Sequence, residues 1–179
     1  MWFLKTLEKK PDQAIQDTID SVVKVAKDKW SMSYEGEYPT SGIGLGSLRP
    51  YHVQNTTTNL PNHGYNVWHI NIAAQRTWQD WVNTIVNDDL YVIVAGIFNW
   101  TPSPSATEIS FSANGVDLPA ENFEQIYAND TAQGWFSKPF SVSPRNNVTV
   151  RLYGNTPQVE LMGLLGFAIA KRTLLITDN

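Results

Sequence analysis

The sequence predicts an all-β fold, a single jelly-roll or β-sandwich of about eight strands with an N-terminal α-helix. Short segments of alternating apolar and polar residues recur roughly every ten residues in the second half of the chain, a spacing typical of sandwiches. Turn-forming residues separate these segments, and the best helical periodicity lies near the N-terminus. We therefore expect an N-terminal helix and loop-rich arm at 1–63 and a β-sandwich (jelly-roll) domain at 64–179.

The N-terminal helix is predicted from Asp12 to Trp30. Its apolar residues share one helical stripe: Ile15, Ile19, Val22, Val23 and Ala26. Pro11 suits the start of a helix. The helix is expected to pack on the sandwich or on a neighbouring subunit. An alternative stays open, in which Met1–Leu7 and this helix anchor the chain to a membrane or to other subunits.

The arm from Ser31 to His63 is rich in Gly, Pro, Ser, Thr and Asn. We expect two short strands in it, around Ser33–Tyr38 and Pro50–Asn55. Three glycines lie between them: Gly42, Gly44 and Gly46. No strand is predicted before these glycines, no helix after them, and no Lys-Ser/Thr pair follows. They are thus expected in flexible or tight turns and not in a phosphate-binding loop.

The sandwich is predicted to begin with a strand at Asn66–Ala74. Its inward side chains are expected to be Trp68, Ile70 and Ile72. The next segment, Thr77–Asn87, has its large apolar residues at helical intervals and is expected to form a short helix crossing the sandwich. Leu90–Trp100 is the longest β-branched and aromatic run, which predicts a central strand.

The following segments predict a hairpin and four further strands. Ala106–Ala113 and Val116–Leu118 flank Asn114-Gly115, which favours a type I′ turn, with Ile109 and Phe111 facing inward. The remaining strands are expected at Asn122–Ala128, Gly134–Val142, Asn147–Tyr153 and Val159–Ala170.

Composition excludes several classes of function. The net charge is −4 and only 17% of residues are charged, so nucleic acid is not expected as a main partner. The chain has no cysteine, which excludes disulfides and thiolate chemistry. Charged residues interrupt the apolar N-terminus after Leu7, so we expect synthesis in the cytoplasm without a cleaved signal. The glycosylation sequons are therefore interpreted as chance matches: Asn55, Asn99, Asn129 and Asn147.

The search for chemistry yields no predicted catalytic, cofactor-binding or metal-binding residue. The three histidines, His52, His63 and His69, form no His-X-His pair of the cupin kind. Glu35 and Glu37 lie two residues apart and would share a strand face, as the acid and base of a glycosidase might be placed. This enzymatic alternative stays open, although such carboxylates usually come from different strands.

The aromatic residues permit two interpretations. Trp68, Trp78, Trp81, Trp100 and Trp135 lie in or beside apolar stretches, which favours a place in the core or in a subunit interface. The alternative is a carbohydrate-binding sandwich, in which flat rings stack on sugars. The candidates for that role are Trp100, Trp135 and Tyr153.

Four segments carry a resemblance to a known family: YVIVAGIFNW, ATEISFSANGVDLP, GWFSKPFSVSPRNNVTVRLYG and GLLGFAIAKR. They lie within the region from Leu90 to Arg172, about half of the chain. This region resembles the single jelly-roll capsid proteins of tailless icosahedral viruses, in particular phages and archaeal viruses with an internal membrane.

The resemblance implies a non-enzymatic structural protein. Such a viral capsid subunit self-assembles laterally into capsomers, with other copies and other capsid proteins as partners. Its location would be the virion, assembled in the host cytoplasm, and no cofactor is implied. A carbohydrate-binding module is the alternative function, and a cupin-like or glycosidase-like enzyme is a third.

Overall fold

The structure is a computed structural model that describes residues 6–7, 10–37, 39–53, 67–123, 127 and 132–175. Its elements are β1 (Thr6–Leu7), α1 (Asp12–Trp30), β2 (Ile43–Ser47), a 3-10 helix (Pro50–His52), β3 (Ile70–Ile72), β4 (Thr77–Ile85), β5 (Leu90–Asn99), β6 (Ala106–Ala113), β7 (Val116–Asn122), β8 (Gln133–Val142), β9 (Asn147–Gly154), β10 (Gln158–Glu160), β11 (Met162–Lys171) and α2 (Arg172–Leu175). The predicted all-β sandwich with an N-terminal helix is confirmed.

Two antiparallel sheets form the sandwich. One has the order β1-β8-β5-β11-β2 and the other has the order β4-β9-β6-β7, while β10 and β3 form a separate pair. The side chains between the two sheets form the main core, in which the Phe111 ring of β6 meets the Phe136 ring of β8 edge-on at 5.5 Å. The core is therefore shared by both sheets.

The strand pairs are nested one inside another. The innermost pair is β6 with β7, and around it come β5 with β8, β4 with β9, β3 with β10 and β2 with β11. The middle of the chain thus runs as one long antiparallel ribbon. Two further pairings, β5 with β11 and β6 with β9, close this ribbon on itself and divide it between the two sheets.

The central strand β5 is buried along its whole length. One of its faces contributes to the main core, and the other packs against α1. The buried stripe of α1 consists of Ile15, Ile19, Val22 and Ala26, and Val23 is partly buried beside it. Because both faces of β5 are covered, its sequence is a continuous apolar run without alternation.

The prediction of a short helix at Thr77–Asn87 is wrong, because β4 occupies this segment. The pairing of β4 with β9 shifts register between Asp80 and Val82, so Trp81 is the extra residue of a β-bulge. Trp81 and Val82 are therefore both buried although they are adjacent. The bulge breaks the two-residue alternation of a strand, so the large apolar residues of this segment fall at helical intervals. Ile85 is one of these residues, but its side chain is 67% exposed.

The arm is more regular than predicted. The segment around Gly44 and Gly46, expected to form turns, is the strand β2, and it pairs with β11. A Cβ at Gly44 would overlap the Pro39 ring, so glycine permits a close approach there.

The two short strands expected in the arm do not form as predicted. From Ser33 onward, Tyr34 makes an isolated bridge to Ile43, and Pro50–His52 is a 3-10 helix instead of a strand. Proline fixes φ and starts such a turn more readily than a strand. Tyr38 and residues 54–55 lie outside the described residues.

The predicted hairpin is confirmed, since Asn114 and Gly115 both have positive φ, 52° and 75°, as a type I′ turn requires. The strand predicted at Asn122–Ala128 is wrong where it is described. There β7 ends at Asn122, the Phe123 side chain turns into the core and Tyr127 is helical. The strand predicted from Val159 is divided at Leu161 into β10 and β11, which belong to different sheets.

Candidate functional site

A buried carboxylate lies at one end of the sandwich. Glu160, the last residue of β10, is fully buried, and its neighbours are hydrogen-bond donors. Its Oε2 accepts from Asn99 Nδ2 at 2.6 Å, and its Oε1 accepts from Ala106 N at 3.0 Å, from Gln158 Nε2 at 2.7 Å and from Ser105 N. No ion pair in the described ranges includes Glu160. Neutral donors therefore satisfy both oxygens of this carboxyl group.

Two more side chains extend this cluster. The Tyr127 hydroxyl donates to Ala106 O at 2.7 Å and accepts from Asn99 Nδ2 at 3.0 Å. Burial, and next the charge of Glu160, raise the pKa of Tyr127 well above its usual range, so the phenol keeps its proton. Ser105 Oγ donates to Thr156 O and accepts from Thr156 N, both at 2.7 Å. The cluster thereby joins the loop after β5 to the loop after β9.

An exposed apolar surface lies directly above this cluster. It consists of Val67, Trp100, Val159 and Leu161, which are between 41% and 62% exposed, and we call it the apolar rim. The rim borders an open depression of about 410 Å³ that is also lined by His69, Thr101 and Pro102. Such a cluster of exposed apolar side chains is characteristic of a contact surface.

The buried cluster fixes the orientation of the rim. Glu160 points inward, so its strand neighbours Val159 and Leu161 point outward. Trp100 N donates to Leu161 O at 2.9 Å, which ties the two parts of the rim together. Leu161 N donates to Thr101 Oγ1 at 2.7 Å, and Thr101 N donates to Asn99 Oδ1 at 3.1 Å. A chain of hydrogen bonds therefore runs from the buried carboxylate to the exposed surface.

The carboxylate pair considered for glycosidase chemistry is not arranged for it. Glu35 accepts hydrogen bonds from both the backbone N and the hydroxyl of Thr40 and of Ser41, at 2.6 to 3.1 Å. These bonds, those of Ser41 first, lower the pKa of Glu35 to about 2. A general acid must instead hold its proton near neutral pH. Glu37 is exposed, and the shared strand face expected for the pair does not form.

The two described histidines are buried and contact the backbone. His52 is buried; its Nδ1 accepts from Arg49 N at 3.0 Å, and its Nε2 lies 3.3 Å from Leu174 O. Burial is the main cause that lowers the pKa of His52 to about 4, so the ring is neutral. His69 is also buried, with Nδ1 3.3 Å from Val67 O, and its own carbonyl accepts from Trp81 Nε1. His63 lies outside the described residues. Within the described ranges, no cluster of three or more His, Asp and Glu side chains could hold a metal ion.

The three aromatic residues considered for sugar stacking lie in different places. Trp100 belongs to the rim. Trp135 is half-buried on β8 against the helix, with Lys10 Nζ 5.7 Å from its ring centroid. Tyr153 lies on β9 in the other sheet, where its ring meets that of Trp78 at 5.8 Å. They do not form one platform.

Sequence reasoning missed Glu160, Asn99 and three of the four rim residues. The available signal was a single acid between two apolar residues, Val159-Glu160-Leu161, which places the acid on the opposite face of a strand from its neighbours. Because the apolar pattern predicts that segment as part of one longer strand, it does not distinguish the acid from its neighbours.

A groove of about 550 Å³ separates α1 from the β6–β7 hairpin. Asp17 and Lys138 contribute opposite charges to its border, and Val22, Leu118 and Phe140 contribute apolar side chains. The groove therefore has a mixed lining and lies apart from the buried carboxylate.

Comparison of the chain with protein-family models, with curated proteins and with solved structures finds no match to any of them. Among the described residues, no helix has the length and apolar character needed to cross a membrane.

Proposed function

We propose that this chain is a non-enzymatic structural protein, a viral capsid subunit of the virion that self-assembles laterally into capsomers. The observation that carries the proposal is the nested pairing of five strand pairs into a ribbon that closes on itself. A ribbon of this kind gives the double-sheet jelly roll found in capsid domains. The nested pairing supports the fold that the resemblance implies.

The two sheets support the same assignment. Without β1, the first sheet has the order β8-β5-β11-β2, which faces the four strands β4-β9-β6-β7. Eight strands in two sheets of four make up a jelly roll. The helix α1 covers the outer face of the first sheet. Contacts with neighbouring subunits are therefore expected at the ends, at the edges and on the second sheet.

The edge strand β7 argues for contacts through side chains and not through strand addition. This strand is largely exposed and carries Asp117, Pro119 and Glu121. Charges and proline on an edge strand oppose uncontrolled pairing with another sheet. An assembling protein needs this protection because its subunits are held at high local concentration.

A second candidate function is carbohydrate binding. It is favoured by the exposed ring of Trp100 beside an open depression. Sugar sites combine such a ring with several polar groups that fix the hydroxyls. The depression is lined mainly by apolar side chains, which favours a protein surface as its partner.

Electron microscopy of the native source material tests the proposal. The expected result is a closed shell in which antibody against this chain labels repeated copies. Sedimentation of the purified chain is the companion measurement, and assembly should increase with concentration. A chain that stays monomeric at the highest concentration, and is absent from every particle fraction, would contradict the proposed function.

A further inference from the structure

We propose that the segment preceding β1, residues 1–5, docks in the groove between α1 and the β6–β7 hairpin of its own chain, where it extends β1 along the open edge of β8. Residues 1–5 lie outside the described residues. The groove of about 550 Å³ and the strand pairing beside it are described. The inference goes beyond the proposed function and does not depend on assembly.

The pairing of β1 with β8 sets the direction of this segment. The two strands are antiparallel, with Thr6 opposite Phe136. Each step toward the N-terminus therefore lies one step further along β8. In the continued register, residues 1–5 lie beside residues 137–141, a length of about 16 Å. Four of these five β8 residues, 138–141, line the groove.

The strand β8 has an open edge at this place. Of the described strands, only β1 pairs with β8 on the side away from β5, and it does so at Trp135 and Phe136. The pairing with β5 is itself interrupted here, since Val94 pairs with Phe140 and Gly96 pairs with Trp135. A further strand on the open side would stabilise this part of β8 and keep it from pairing with another sheet.

The side chain of Asn114 closes the far end of this edge. Its Nδ2 donates to Ser141 O at 2.8 Å, and its Oδ1 accepts from Ser143 N at 3.1 Å. The backbone of β8 at these two residues thus has a partner in the hairpin turn. The open stretch is therefore limited to residues 137–140, which residues 1–5 are long enough to cover.

The sequence of the segment matches a strand that is covered on both faces. Met1, Trp2, Phe3 and Leu4 are all apolar. Successive side chains of a strand point to opposite faces, so both faces of this strand would be apolar. Continuous apolar runs of this kind belong to strands buried on both sides, as β5 is.

The groove offers apolar side chains on each of its sides. Val22 comes from α1, Val116 and Leu118 come from the hairpin, and Phe140 comes from β8. Val116 is 58% exposed, so a docked segment would cover apolar surface that the described residues leave open to solvent. Pro139 supplies no N–H for strand pairing, so packing against these side chains has to hold the segment there.

Disulfide formation in the full chain tests the position, because the chain has no cysteine of its own. The variant is Leu4→Cys with Lys138→Cys, which the continued register places opposite each other. The matched control is Leu4→Cys with Ile85→Cys, at an exposed position on β4. We expect the first pair to form an intramolecular disulfide at least roughly tenfold faster under mild oxidation, since a disulfide needs Cβ atoms about 4 Å apart. Equal rates, followed by non-reducing electrophoresis and mass spectrometry, would overturn the proposal.

Hydrogen exchange provides a second measurement without cysteines. The variant is Trp2→Ser with Leu4→Ser, and the matched control is Trp100→Ser with Leu161→Ser, which removes the same residue types at the apolar rim. We expect exchange at the amides of residues 137, 138 and 140 to become roughly tenfold faster or more in the first variant and to change by less than about twofold in the control. Unchanged exchange in the first variant would contradict docking.

The same variants separate the other possible partners of this segment. Covalent dimers as the main product of the Leu4→Cys with Lys138→Cys variant would place the segment on a neighbouring subunit and overturn docking within one chain. Flotation of the wild type with phosphatidylcholine vesicles, lost in the Trp2→Ser with Leu4→Ser variant, would assign the segment to a lipid surface and overturn the proposal as well. An intramolecular disulfide in a chain that stays monomeric would support docking while the proposed function fails.

Discussion

Asn99 and Glu160, 61 positions apart in the sequence, are joined by a buried hydrogen bond of 2.6 Å at one end of the sandwich. Asn99 ends β5 and Glu160 ends β10, so this bond links the central strand to a strand that pairs outside the two main sheets. Each residue is followed by an exposed apolar side chain, Trp100 and Leu161. The bond therefore links a buried contact at the end of the core to the backbone that carries the exposed Trp100 and Leu161.

Removing the buried carboxylate should destabilise the fold strongly. Glu160→Ala leaves four donors without their acceptor, two of them backbone N–H groups. Each unsatisfied buried donor costs about 1–3 kcal/mol, and partial access of water reduces the total. We expect a loss of about 3–5 kcal/mol in the free energy of unfolding, measured by urea denaturation. Glu37→Ala, at an exposed position, is the control and should change this free energy by less than about 0.5 kcal/mol.

Stability should fall as pH decreases from about 6.5 to 4, because of His52. Its pKa is about 4 in the folded protein, below the ordinary value of 6.5, so the folded state favours the neutral ring. A depressed histidine pKa contributes stability that is fully present above pH 6.5 and is lost as the unfolded state takes up the proton at lower pH. At about 1.4 kcal/mol per pKa unit, the loss is of the order of 3 kcal/mol.

Urea denaturation of the wild type and of His52→Gln at pH 7, 5 and 4 measures this dependence. The His52→Gln variant should lose most of this dependence of stability on pH. Glu35, whose pKa is lowered from 4.5 to about 2, contributes in the same direction but mainly at lower pH, so the two residues can be separated. A wild type equally stable at pH 7 and pH 4 would contradict the assignment to His52.

The sequence predicts the elements whose patterns are local. The helix Asp12–Trp30 and the Asn114-Gly115 hairpin follow from spacing and turn chemistry alone, and both have the predicted bounds or conformation. The bulge at Trp81 was not predictable in this way, because it arises from pairing with β9. Propensity and periodicity describe a segment by itself, whereas a bulge belongs to a pair of strands.

Prediction of the candidate site from the sequence has the same limitation. The residue type of Trp100 indicates a candidate from the sequence alone. Its neighbours Val159 and Leu161 come from a segment about 60 residues away, which the loop after β5 meets only in the folded chain. The burial of Glu160 likewise depends on donors from three segments. Long-range pairing, and not local pattern, creates the site.

A side chain at Gly96 should destabilise the sandwich at the centre of β5. A Cβ at this position would overlap the carbonyl oxygen of Gly134 on the neighbouring strand, and a backbone atom cannot move aside without disturbing the pairing. We expect Gly96→Ala to lower the free energy of unfolding by about 2–4 kcal/mol. In the control Gly46→Ala, the Cβ would lie 3.1 Å from Leu175 Cδ2, the end of a flexible side chain, so the cost should be below about 1 kcal/mol. If urea denaturation gave the same loss in free energy of unfolding for Gly96→Ala and Gly46→Ala, overlap with the Gly134 carbonyl would not be the cause.

The packing of α1 on the five-stranded sheet can be tested with two valines of the same helix. Val22 is 6% exposed and belongs to the cluster that includes Ile93 of β5, whereas Val25 is 51% exposed. Val22→Ala removes two buried methyl groups and leaves a cavity, so we expect a loss of about 1–2.5 kcal/mol in the free energy of unfolding. Val25→Ala should be neutral or slightly stabilising, because alanine is the better helix former. Since the substitution is the same, any difference in thermal and urea denaturation reports the burial of the helix against the sheet. Equal effects of the two substitutions would mean that α1 does not pack on β5 in solution.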